Sequence, residues 1–162
     1  MFGLTQLGIF HTAISLIAVA TGVISFFRYK EISSRNTLGV IYIVTTIITC
    51  VTGFGIFQHG GFGKPHVLGI LTLLTLGVAA AAGKYKVFGR TSRYIEVIGY
   101  SVTFLFHLIP AVTETSTRLP LGAPLLANAE DPVLKTVTGF LVLVFLIAAT
   151  LQARLVRKNG IK

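Results

Sequence analysis

Five long apolar runs constrain this chain more than any other feature. They cover residues 4–27, 38–58, 67–83, 94–112 and 133–151, and the short stretches between them hold most of the charge. About 20 helical residues cross a bilayer core of ~30 Å, so each run approaches or exceeds one crossing. A segment in lipid must pair its own backbone N–H and C=O groups, so such runs are helical. The chain is 53% hydrophobic and 12% charged, with a mean hydropathy of +0.82. Soluble domains carry roughly twice that charged fraction. These features predict an all-α integral membrane bundle of five transmembrane helices, one domain over residues 1–162, with the lipid bilayer as its surroundings. The first run has no basic leader and no A-x-A-like end, so it is expected to be a retained span. The single cysteine, Cys50, permits no intrachain disulfide and has the character of a small core residue.

The formal net charge of +9 acquires meaning from its placement. Arg28, Lys30, Arg35, Lys84, Lys86, Arg90, Arg93, Arg154, Arg157, Lys158 and Lys162 fall in the loops and tail at one end of the spans. The other end holds Lys64, Arg118 and Lys135. Lys and Arg collect on the cytoplasmic side, which predicts an N-out/C-in arrangement in the bacterial inner (cytoplasmic) membrane. This bias accounts for the basic excess, and no nucleic acid partner is needed to explain it.

The stretch from residue 94 to 120 is apolar enough for lipid yet carries Glu96, Tyr100, Thr103, His107, Glu114 and Arg118. At 3.6 residues per turn, Glu96, Thr103, His107, Ala111, Glu114 and Arg118 share one broad stripe. Ionisable groups in a span face a bundle interior or a wet cavity, so the fourth span is expected to carry the site. Pro110 removes the helical donor for the Phe106 carbonyl and predicts a kink beside His107. Small residues at helical spacing predict close helix approach: Ala18, Gly22 and Ser25 in the first span, and Gly69, Gly77 and Ala81 in the third.

With this topology all four histidines lie in the outer half. Neutral imidazole ligates metals and haem iron, and bundle sites draw ligands from facing helices. His11 and His107, the deeper pair on separate spans, are candidate axial ligands of b-type haem. His11, His59, His66, His107 and Glu114 together are candidate ligands of copper, zinc or iron, with Glu114 also able to orient a ligating ring. The plainer alternatives are interfacial polar roles for His59 and His66, helix–helix hydrogen bonds for His11 and His107, and a Glu114–Arg118 ion pair. No phosphate-binding glycine loop or nucleophile elbow is present; Gly60, Gly61 and Gly63 are expected to form a turn.

His11, then Arg35-Asn36-Thr37-Leu38-Gly39-Val40-Ile41-Tyr42, then Thr52-Gly53 and a glycine-rich outer turn resemble a group of uncharacterised bacterial multi-pass membrane proteins. These form a domain-of-unknown-function family with an HRxLGRIY-like second span. The likeness covers roughly residues 8–83 and, weakly, the fourth span, and it implies the topology. The chain departs from that pattern at the fourth span's entry, where Ser92-Arg93-Tyr94-Ile95-Glu96 replaces a His-Arg-Trp-like sequence. The architecture also resembles small b-type cytochromes at the level of fold alone.

Three functions follow as expectations. The first is a membrane electron-transport protein binding haem b and serving a quinone or periplasmic redox partner. The second is an outward-facing copper, zinc or iron site for binding or delivery. The third is a non-catalytic subunit or assembly factor of a larger respiratory or photosynthetic membrane complex. Residues 113–132 are expected to extend the fourth helix, lie on the membrane surface or fold over the histidines as a lid.

Overall fold

The computed structural model describes residues 5–56 and 61–159. Those residues form helices α1 (Gln6–Tyr29), α2 (Thr37–Gly53), α3 (Lys64–Tyr85), α4 (Ser92–Arg118) and α5 (Pro132–Lys158), with a 3₁₀ turn at Gly89–Thr91 before α4. There is no strand among them. Four of the helices, α1, α3, α4 and α5, are long and apolar enough to cross a membrane. Helix α2 is apolar but has 17 residues.

The helix ends follow their caps rather than the limits of the apolar runs. Thr5 opens α1 by accepting from the Gly8 amide, and Asn36 opens α2 by accepting from the Gly39 amide. Helix α3 begins at Lys64 because Pro65 fits the first turn, where its missing N–H has no helical partner. Helix α5 likewise begins at Pro132, behind Asp131, whose side chain accepts from Val133. Helix α2 stops at Gly53, earlier than its apolar run, and α4 continues through Pro110 to Arg118. Of residues 113–132, those up to Arg118 therefore extend α4, residues 119–131 form a loop at the end where α3 begins, and Pro132 opens α5. There Lys64 pairs with Glu130 at 2.7 Å, and the Lys64 ammonium holds the Glu130 carboxyl below its usual range.

Helices α1 and α2 form one tight antiparallel pair and α3 and α4 another. Helix α5 packs against α4 alone. The shared core contains Ala18, Tyr42, Leu76, Ala79 and Tyr100, with Ile32 from the α1–α2 loop, and Phe26, Leu73 and Phe104 pack against it. Close approach uses glycine where side chains cross: a Cβ at Gly22 would meet the Phe104 ring at 2.6 Å, and one at Gly99 would meet Ala79 Cβ at 2.9 Å. In α3 the expected seam of Gly69, Gly77 and Ala81 holds at Gly69, where a Cβ would meet the Phe54 ring at 2.9 Å, and is displaced beyond it. Thr72, Leu76, Ala79 and Ala82 are buried instead, while Gly77 is exposed.

Candidate functional site

Helix α4 collects the buried polar groups. Glu96, Tyr100, Ser101, Thr103 and His107 are all buried along it, whereas Ala111 and Glu114, further along the expected stripe, are exposed. Two clusters result, about one helical turn apart.

The first lies at the end rich in Lys and Arg. Glu96 is 1% exposed. Its Oε2 accepts from Arg35 at 2.8 Å and from Arg93 at 2.9 Å. Arg93 turns its other terminal nitrogen to Glu31, donating to both carboxylate oxygens at 2.6 and 2.7 Å. One terminal nitrogen thus holds both Glu31 oxygens and the other holds Glu96, so the planar guanidinium fixes the two carboxylates relative to each other. The cluster ties the α1–α2 loop to the start of α4. It requires Gly83 on α3, because a Cβ there would lie 2.6 Å from the Glu96 carboxyl carbon. Gln152 of α5 extends the cluster: its Oε1 accepts from Ser101 at 2.8 Å and its Nε2 donates to the Lys30 carbonyl at 2.9 Å. Tyr100, fully buried, reaches Ser34 of the same loop.

The second cluster bridges α2 and α4. Thr103 donates to the Tyr100 carbonyl at 2.8 Å, so its oxygen accepts from the Tyr42 hydroxyl at 2.9 Å. Thr46 lies within hydrogen-bond reach of Tyr42 and bonds His107 Nε2 at 3.0 Å. The Tyr42 and His107 rings meet edge-on, 6.0 Å between centroids. Higher on α2, His11 Nδ1 lies 3.0 Å from the Thr52 hydroxyl. Thr52 already donates to the Ile48 and Thr49 carbonyls. Its oxygen is thus the acceptor, and His11 carries its proton on Nδ1. Packing against Gly53, where a Cβ would sit 3.2 Å from the imidazole Cε1, holds the ring in place.

The histidines make different contacts, although His11 is within electrostatic reach of both His107 and Glu114. His11 and His107 approach α2 from two helices, each held by a threonine. His66 caps α3, its Nδ1 accepting from the Gly63 amide at 3.2 Å, and stacks on Phe62. His59 lies outside the described residues. Glu114 pairs with Arg118. Among the described residues no group of three or more His, Cys, Asp or Glu side chains is placed to hold a metal ion.

The sequence pattern places Glu96 inward, but it marks Arg35 and Arg93 only as charges at one end of the spans and does not single out Glu31. It passed over Gln152, an isolated amide in the last span, and Tyr42. Oppositely charged Glu31 and Arg93, each beside a crossing at the same end, were the available signal for the ionic cluster. No protein-family model, curated protein or solved structure matches the chain.

Proposed function

We propose that this is a multi-pass protein of the bacterial cytoplasmic membrane, inserted N-out and C-in, that relays protons through the α2–α4 contact in support of membrane electron transfer. The carrying observation is the row of polar side chains His107, Thr46, Tyr42 and Thr103, buried between apolar helices and joined by the His107–Thr46 and Tyr42–Thr103 hydrogen bonds. Intramembrane groups of this kind mark proton and substrate paths. Imidazole can take a proton on one nitrogen and release one from the other, and each hydroxyl both donates and accepts. His11, partly exposed, stands at the outer entrance.

Orientation rests on the Lys/Arg bias. A reporter fused after Lys162 should be active only on the cytoplasmic side; activity on the other side removes the assignment.

The relay is tested with the full chain in vesicles carrying an internal pH dye and an imposed potassium potential. Proton uptake should exceed that of empty vesicles and drop to their level in Tyr42→Phe and Thr46→Val, which preserve shape while removing a hydroxyl. Uptake no greater than that of empty vesicles, or unchanged in both variants, rejects the relay.

The haem reading has one observation in its favour. With its proton on Nδ1 and donated to Thr52, His11 keeps its Nε2 lone pair for a ligand, as ligating histidines do. A b-type haem shared with His107 would require α1 and α4 to admit a porphyrin. Protein purified with added haemin should then show a Soret band that His11→Ala removes; no band under those conditions rejects the reading.

A further inference from the structure

A cavity of about 180 Å³ opens at the basic end, beside the Glu31–Arg93 pair. It lies outside the proposed relay. Lys30 and Glu31 line it from the end of α1, Arg93 and Val97 from α4, and Gln152 and Leu155 from α5. The volume is below the ~300 Å³ at which pockets for drug-sized ligands begin, so it suits a single small group.

Three features identify that group. First, donors remain. Arg93 commits three N–H groups to Glu31 and Glu96, and a guanidinium has five. Gln152 commits one amide hydrogen to the Lys30 carbonyl and has a second. Second, Lys30 and Arg93 outnumber Glu31 in the lining, and Arg154, Arg157 and Lys158 follow on the same end of α5. Third, the wall is half apolar, and α5 packs on α4 but not on α1. The space between α1 and α5 is closed by the Gln152–Lys30 hydrogen bond rather than by helix packing. A ligand can therefore enter sideways from the bilayer.

We infer that this cavity binds the phosphate headgroup of an anionic phospholipid, with Arg93, Lys30 and Gln152 donating to phosphate oxygens and an acyl chain lying along Val97 and Leu155. Basic pockets between transmembrane helices recognise such headgroups.

The test uses the full chain in a neutral detergent, with its thermal unfolding midpoint followed on titration. The additives are phosphatidylglycerol, phosphatidylcholine or inorganic phosphate. Phosphatidylglycerol should raise the midpoint saturably and the other two should not. Lys30→Asn should abolish the shift; Lys30 has φ of 64°, and asparagine tolerates that conformation. Leu155→Trp, filling the cavity from a half-exposed position, should abolish it as well, and Lys135→Gln at the opposite end should not. An equal shift with phosphatidylcholine overturns recognition by charge, and an equal shift with inorganic phosphate overturns a lipid source. A phosphatidylglycerol shift that survives both Lys30→Asn and Leu155→Trp, or no such shift in the unsubstituted protein, overturns the site.

Discussion

Arg93→Ala is expected to destabilise the protein by about 3 kcal/mol, the scale seen when one partner of a buried ion pair is removed. The reason is the position of Arg93 between two carboxylates. Its loss leaves Glu31 without the guanidinium that reaches both its oxygens, and Glu96, 1% exposed, with Arg35 alone. Arg35 cannot compensate fully, because its side chain is 53% exposed and makes a single contact to Oε2. Exposed ion pairs contribute at most about 1 kcal/mol. Arg93→Lys should recover only part of the loss, since an ammonium is a point charge and cannot span both carboxylates in a fixed plane. Neutralising all three groups with Glu31→Gln, Arg93→Met and Glu96→Gln should recover more than Arg93→Lys, because no charge then remains buried without a partner. Unfolding in mixed micelles, followed by circular dichroism against denaturant, measures all three. A loss under about 0.5 kcal/mol for Arg93→Ala would reduce the cluster to a surface feature.

What the sequence made legible follows from periodicity. The stripe through Glu96, Thr103 and His107 is one face of a 3.6-residue helix, and all three are buried. The apolar runs likewise located every helix. Periodicity does not encode rotation about the axis to within one residue, and this displaced the expected seam of α3: Gly77 is outside, whereas Ala79 and Gly83 meet Gly99 and Glu96. Nor does it encode partners across helices. Thr46 and Thr52 look like any small polar residues of a membrane helix, and only the tertiary packing brings His107 to one and His11 to the other. Two helix starts fall one residue before their apolar runs, where capping decides them. Asn36 and Asp131 set starts by side-chain bonds that hydropathy ignores, and Arg118 ends α4 well beyond the apolar run.

The α1–α2 loop illustrates how much of the site depends on one small residue, and it gives the second large effect. Gly39→Ala is expected to cost about 3 kcal/mol or more, at the upper end of overpacking penalties. A Cβ at Gly39 would overlap the Ser33 carbonyl oxygen and come within 2.7 Å of the Ser33 carbonyl carbon and 2.9 Å of its nitrogen. These are backbone atoms, so no side-chain rotation relieves the contact. The loop is also held in place from within: Asn36 Oδ1 accepts from the Gly39 amide at 2.9 Å, and Ile32 and Ser33 are buried. Moving Ser33 away therefore shifts Glu31, Ser34 and Arg35, the loop residues that engage Arg93, Tyr100 and Glu96. Gly39→Ala should consequently lower stability and also weaken the phosphatidylglycerol shift, since Lys30 and Glu31 line that cavity. Gly77→Ala is the matched control: nothing lies within 4 Å of its added Cβ, and alanine is the better helix former by up to about 1 kcal/mol. It should leave stability unchanged or raised, with lipid binding intact. If the two glycine variants lose stability equally, the loop is not held by the Gly39–Ser33 approach, and the geometry of the ionic cluster must have another origin.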